Sequence, residues 1–255
     1  MKRVLKKDGT CWVNLGDTYG GSNGLGWQQT LENTNRSIGG DKESFSLKGK
    51  LGLEKGLSKS LLQIPSRFAI EMTDRGWILR NELIWHKPSC MPASVKDRFT
   101  VDFEKVFFFV KNKKYWFEQQ LEPYTEQLNR WGGTKINAQS KSTWDEATGQ
   151  ETYRNRDLRP NKDGRNKRCV WSINPKPFKE AHFATYPEAL IEPMIKAGCP
   201  EGGIVLDPFM GSGTTGVVAK KQNKEFIGIE LNPDYIKIAE KRIGNVPNNI
   251  KKYFC

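Results

Sequence analysis

Two carboxylates and a glycine-rich hexapeptide are the residues of this 255-residue chain best placed to do chemistry. Gly211-Ser212-Gly213-Thr214-Thr215-Gly216 fits G-x-G-x-x-G and joins an apolar run, Gly203 to Phe209, to a stretch of helical spacing, Thr214 to Gln222. Such a loop brings bare backbone and a helix N-terminus up to a ligand. In a dinucleotide site that ligand is a pyrophosphate. Here the strand ends in Asp207, whose carboxylate would lie beside the phosphates and repel them. A cofactor with an ammonium and a carboxylate suits these charges better. Asp207 or its surroundings face the cation, and the first helical turn at Thr214 and Thr215 faces the anion. S-adenosylmethionine has both groups. Glu230 closes the next strand-like run, where an acidic side chain accepts hydrogen bonds from ribose hydroxyls in doubly wound nucleotide sites. Singly, Asp207 reads as a helix cap and Glu230 as a surface carboxylate. Flanking one glycine loop, they read together as a cofactor site.

The elements that must position these groups follow from hydrophobic spacing. Pro187 to Ala197 is helical, with Leu190, Ile191, Met194 and Ile195 on one face and Gly198 as the stop. Gly203 to Phe209 and Glu225 to Leu231 are strands, and Thr214 to Gln222 and Pro233 to Ile243 are helices. Strands alternating with helices at this spacing predict an α/β fold with a doubly wound, mostly parallel sheet. Toward the N-terminus, Thr10 to Gly16 is strand-like after the Asp8-Gly9 turn, and the Gly/Ser/Asn-rich stretch about 18–60 reads as a long mobile loop. Ser66 to Arg75 forms an amphipathic helix with Phe68, Ala69 and Met72 on one face. Trp77 to Trp85 is extended, its tryptophans belonging to the core, and Glu104 to Val110 is a strand buried on both faces because its apolar run is unbroken. Three regions result: 1–117, a polar segment 118–181 with little periodicity, and 182–255.

The formal net charge is +12, from 41 Lys and Arg against 29 Asp and Glu, which favours a polyanionic partner. Val106 to Val110 is the longest apolar run, too short to span a bilayer, and the basic start Met1 to Gly9 lacks the apolar stretch of a signal peptide, so a cytoplasmic protein is expected. Five scattered cysteines without a C-x-x-C pair, and two histidines, point to free thiols and to no metal site.

Asp207-Pro208-Phe209-Met210-Gly211-Ser212-Gly213-Thr214-Thr215, then Gly228-Ile229-Glu230-Leu231 and Tyr235 with Ala239 and Arg242, resembles the cofactor-binding half of the amino-methylating DNA methyltransferases, which act on cytosine N4 or adenine N6. His182-Phe183-Ala184-Thr185-Tyr186-Pro187 resembles the element preceding this strand in the permuted class of that family. The resemblance implies that Phe183, Ala184 and Pro187 help hold the methionine end of S-adenosylmethionine. Arg3 to Gly9 and Trp85-His86-Lys87-Pro88 to Val106 resemble the catalytic half. Residues 1–117 are then a remnant of that half, 118–181 a target-recognition insertion, and 182–255 the cofactor half.

An exocyclic amine is a poor nucleophile, so an active site must accept hydrogen bonds from its N–H groups while an aromatic ring holds the extruded base. The family does this with Ser, Asp or Asn followed by Pro-Pro and an aromatic residue, a tetrad that this sequence lacks. Asn174-Pro175-Lys176-Pro177-Phe178 is interrupted by Lys176, and Asn232-Pro233-Asp234-Tyr235 falls on the adenosine side. The catalytic residues are therefore unknown. The resemblance implies an N-terminally truncated chain, inactive alone: a fragment, a misplaced start, or half of a split enzyme whose tetrad is on a separately encoded segment. Double-stranded DNA is the expected partner, in a restriction-modification or phage setting. Lys87, Lys96 and Arg98 are placed near the base pocket, and Arg154, Arg156 and Arg159 in the insertion, to contact phosphates or read base edges. Gly16-Asp17-Thr18-Tyr19-Gly20-Gly21 leans toward cytosine N4. Two rivals stay open: a DNA-binding remnant that retains the cofactor, and a dinucleotide oxidoreductase supported only by the glycine pattern.

Overall fold

The computed structural model describes residues 1–20, 59–123, 163–175 and 186–247. They fall into two compact units, Met1–Tyr115 with Val170–Leu190, and Trp116–Cys169 with Ile191–Cys255.

The first unit is a four-stranded sheet with one covering helix. Its strands are β1 (Thr10–Leu15), β2 (Ile78–His86), β3 (Phe103–Val110) and the short β6 (Val170–Ser172), in the order β1-β3-β2-β6. β3 is antiparallel to both β1 and β2, and β6 joins β2 in parallel. The unbroken run from Val106 to Val110 becomes the buried C-terminal five residues of β3, as its lack of alternation requires. Phe107 and Phe109 face α1 (Ile64–Asp74) and pack with Cys11, Ala69 and Trp77, joined by Phe68 and Met72. On the opposite face Trp12 stacks on Phe108, ring centroids 4.2 Å apart. Burial among these rings pushes the Cys11 thiol up to about 11.

Both ends of α1 are closed by specific devices. Pro65 occupies its first turn, where a missing N–H costs nothing. The Ile64 N–H donates instead to Asp17 Oδ1 at 3.1 Å, and the same oxygen accepts from Thr18 N. Asp17, 47 residues upstream, thus serves as the helix's N-terminal acceptor. At the other end Gly76 takes φ +77°, and Gly76 N and Trp77 N donate back to Thr73 O and Met72 O, a left-handed helix stop that favours glycine. Residues 18–20 and 59–62 pair through Gly20 N to Ser60 O, Lys59 N to Gly20 O and Leu62 N to Thr18 O.

The second unit holds the predicted strand and helix alternation. Its elements are β4 (Leu121–Glu122), β5 (Arg165–Asn166), β7 (Ile204–Asp207), α3 (Thr214–Lys221), β8 (Glu225–Gly228) and α4 (Pro233–Gly244), with all but the first turn of α2 (Glu188–Gly198). β7 and β8 are parallel, Asp207 opposite Gly228. β8 ends three residues earlier than its apolar pattern suggests: Ile229 N still donates to Asp207 O at the end of β7, but Ile229 O accepts from Met210 N of the glycine loop. Asn232 caps α4 by accepting from Asp234 N at 2.9 Å, with Pro233 next. Asn232-Pro233 is therefore helix-start chemistry. Among the described residues no helix is long and apolar enough to cross a membrane, and no group of three metal-ligating side chains converges.

Candidate functional site

The loop from Asp207 to Thr215 is held from three directions. Asp207 Oδ1 accepts from Phe209 N at 3.0 Å and Oδ2 from Thr215 Oγ1 at 2.6 Å, so one carboxylate ties the end of β7 to the first turn of α3. Glu230 Oε2 accepts from Gly211 N, and Oε1 from Leu231 N and Asn232 N, all at 2.9 Å. From α4, Arg242 Nη1 donates to Ser212 O at 2.6 Å, Ser212 Oγ at 2.9 Å and Thr214 Oγ1 at 3.1 Å. Charged partners make these bonds stronger than neutral ones.

Two glycines are required by contact. Gly213 has φ +79°, and a Cβ there would stand 2.8 Å from Ala239 Cβ on α4. At Gly216 a Cβ would lie 2.5 Å from Ile243 Cδ1 and 2.6 Å from Phe226 Cε1. At these two positions the start of α3 approaches β8 and α4 as closely as a missing side chain allows.

The predicted cofactor residues divide into two groups. Ser212, Thr214 and Thr215 are buried, and their hydroxyls build the loop rather than its outer surface. Asp207, Pro208, Gly211 and Glu230 are half-buried, while Phe209 is 86% exposed and neighbouring Leu231 94%. The site therefore offers two carboxylates fixed at adjacent strand ends, with uncovered apolar side chains beside them. That donor set fits a ligand with a cationic end, a diol and a flat apolar ring, and it opposes a pyrophosphate. Pro187 is buried and its carbonyl accepts from Leu190 N; Phe183 and Ala184 lie outside the described residues.

On the first unit, Lys87 N donates to Asp102 O at 2.7 Å and closes the loop between β2 and β3. Lys87 itself pairs with Glu104 and lies over the Trp85 ring, 4.3 Å from its centroid. Trp85 is buried, its indole N–H donating to Ile173 O. The Arg98 guanidinium stacks on Tyr19 at 3.6 Å, Asp97 pairs with Lys59, and exposed Lys96 has no ion pair among the described residues. Met91 and Phe99 are 89% and 95% exposed. Asn174 Oδ1 accepts from Ser89 N and Oγ, a role in holding this loop. Arg154, Arg156 and Arg159 lie outside the described residues. Arg165 and Arg168, from the same basic run, pair with Glu122. Burial works to raise the Glu122 carboxyl, but the Arg168 N–H and the two guanidiniums outweigh it and hold that carboxyl below its ordinary value.

Sequence reasoning gave Arg242 no role and did not foresee Leu231 as an exposed neighbour of Glu230. The available signal was spacing: Ala239 and Arg242 lie three residues apart on α4, and both meet the glycine loop.

A family model described as DNA methylase (N6/N4) matches residues 1–241. The type II methyltransferase M.Cfr9I of Citrobacter freundii is 36% identical over 253 residues, covering 98% of this chain and 69% of that protein. M.SmaI of Serratia marcescens is 37% identical over 244 residues, covering 95% and 70%. Among solved structures, the PvuII DNA methyltransferase (cytosine-N4-specific) has a similar fold, with a TM-score of 0.58 at 20% identity over 96% of this chain and 67% of that one. The match extends over nearly the whole chain, and the chain belongs to the N6/N4 DNA methylase family of amino-methyltransferases, enzymes that take S-adenosylmethionine as methyl donor.

Proposed function

We propose that this chain serves as a site-specific DNA methyltransferase of a type II restriction-modification system, acting on duplex DNA at cytosine N4. The observation that carries the reading is the pair of carboxylates, Asp207 and Glu230, closing two adjacent parallel strands around a loop that Arg242 locks from α4. Glu230 takes the ribose diol, Phe209 and Leu231 cover the purine, the Asp207 charge faces the ammonium, and the first turn of α3 faces the carboxylate. When bound, the cofactor supplies an electrophilic sulfonium methyl group. Ser212, Thr214 and Thr215 keep the loop in shape without reorganisation when the ligand arrives. Lys96 and Arg98 contact backbone phosphates near the target base. Lys87 does so only by exchanging its Glu104 partner, and Arg154, Arg156 and Arg159 add salt-sensitive attraction.

The type II setting is supported by the names of the relatives. Cytosine N4 is supported by Gly16-Asp17-Thr18-Tyr19 and by the specificity in the name of the PvuII enzyme. Residues 1–255 contain no Pro-Pro-aromatic tetrad, so the test has two arms. The chain, and the chain extended by whatever is encoded directly upstream, are incubated with duplex DNA and methyl-tritiated S-adenosylmethionine, and the product bases are separated. Labelled N4-methylcytosine is expected. Labelled N6-methyladenine would move the target base, and no label in either arm would overturn the reaction.

A further inference from the structure

We propose that the first unit carries a second phosphate-binding surface, made by the turns 1–8 and 111–114, which grips duplex flanking the methylated sequence. This rests on the reading of duplex DNA as substrate. The β1–β3 register sets Thr10 opposite Val110, so both turns leave the same end of the sheet. They are fastened together: Lys111 Nζ donates to Lys2 O at 2.9 Å and to Leu5 O, and Asn112 Nδ2 donates to Lys7 O at 2.6 Å. Lys2 Nζ in turn donates to Arg75 O and Gly76 O at the end of α1. Two lysines are thereby consumed in building the surface. Arg3, Lys6, Lys7, Lys113 and Lys114 remain exposed, and none is in an ion pair among the described residues. An open concavity of about 910 Å³ lies between the turns, lined by Lys7, Lys111, Asn112 and Lys114, with Asp8 its one carboxylate among the described residues.

A solvated face usually mixes charges of both signs. Here five uncommitted cations face one acid on a framework cross-linked by two more. That pattern suits a polyanion of regular spacing. The opposite end of β3 begins at the loop carrying Lys96 and Arg98, and the eight residues of β3 separate the two by about 23 Å at roughly 3.3 Å per residue. At about 3.4 Å per base pair this is about seven base pairs of duplex.

Salt dependence tests this, because the slope of log Kobs against log salt counts simultaneous phosphate contacts rather than available sites. The full chain and the quadruple variant Lys6→Gln, Lys7→Gln, Lys113→Gln, Lys114→Gln are titrated with a hairpin of six base pairs, about 20 Å long, and with a 24-base-pair duplex. Unchanged S-adenosylmethionine affinity and near-ultraviolet dichroism verify the variant's fold. The expected result is a slope steeper by about 2 to 3 on the long duplex for the unsubstituted chain, at about 0.9 per contact, and equal slopes on both probes for the variant. A variant slope on the long duplex matching the unsubstituted chain overturns the proposal, as does an equal loss on the hairpin. Binding of vesicles of 30% phosphatidylserine that the substitutions abolish, with the DNA slope unchanged, would assign the surface to a membrane instead. Failure to bind either DNA while S-adenosylmethionine still binds would reject the DNA substrate itself, and this inference with it.

Discussion

Two loops of this molecule solve opposite problems. Between Asp207 and Thr215 nearly every polar side chain is committed: the two threonines and Ser212 are buried, Asp207 and Arg242 each bind the loop at more than one point, and Glu230 binds it at Gly211 N. Between Lys87 and Asp102 the backbone is pinned at its base, and Ala93 N reaches Thr100 Oγ1, yet Met91, Lys96 and Phe99 project into solvent. A small cofactor offers little area, so its site gains most from being shaped beforehand. A duplex brings a large surface of its own, and a loop facing it can leave groups uncovered until that surface arrives.

The largest effect is expected where the committed loop has no room. Gly213→Ala places an L side chain at φ +79° and a methyl 2.8 Å from Ala239 Cβ. Strain of about 1–2 kcal/mol and overpacking of about 1–3 kcal/mol lower stability by about 2–5 kcal/mol, read from the urea midpoint. Adding Ala239→Gly removes the shortest contact but neither the strain nor the 3.0 Å approach to the Ala239 Cα, so a double-mutant cycle should show a coupling of about 1 kcal/mol. A cycle without coupling would mean that the α3–α4 contact is looser than drawn.

Arg242→Ala comes next. It leaves Ser212 and Thr214 buried without their charged donor, a loss of about 2–3 kcal/mol. Calorimetry should show weaker S-adenosylmethionine binding in the same variant. Full affinity at full stability would end the comparison, because the loop would then hold its shape without α4.

Asp207→Asn separates charge from shape. The amide oxygen can still accept from Phe209 N and the amide nitrogen can donate to Thr215 Oγ1, so stability should change by less than about 1 kcal/mol. S-adenosylmethionine should bind about tenfold more weakly or worse, equivalent to about 1.4 kcal/mol. Equal affinity would leave Asp207 as loop scaffolding alone.

The committed loop was the more legible of the two, for a local reason. A strand, a glycine loop and a helix are consecutive, and the types at 207–216 and 230 state their own roles. Likewise the unbroken Val106 to Val110 run announced a buried central strand. What escaped the sequence depends on partners distant along the chain. Asp17 reads only as part of the Gly16 to Gly21 stretch until Ile64 N is found donating to it. Arg242 acquires its role only when α4 returns to the loop 28–30 residues upstream. Lys87 looks like a phosphate contact until the β2–β3 pairing brings Glu104 to it. The alternation around the glycine loop foretold parallel pairing, which β7–β8 and β2–β6 show. The antiparallel β1-β3-β2 arrangement had no comparable local mark: the unbroken apolar run of β3 is the pattern more usual for a parallel strand, yet β3 pairs antiparallel on both sides.

The smallest effect on stability belongs to the uncommitted loop, and it tests the contrast from the other side. Phe99→Ser removes a ring that is 95% exposed, so the urea midpoint should move by no more than about 0.5 kcal/mol, the range of ordinary surface changes. S-adenosylmethionine affinity should not change at all. Affinity for duplex DNA should fall several-fold, because the ring lies between Arg98 and Thr100 on the loop that carries the proposed phosphate contacts and gains burial only against the duplex. A stability loss above about 1 kcal/mol would show that Phe99 is packed within the protein in solution. The two loops would then share one design, and the difference between them would lie in sequence alone.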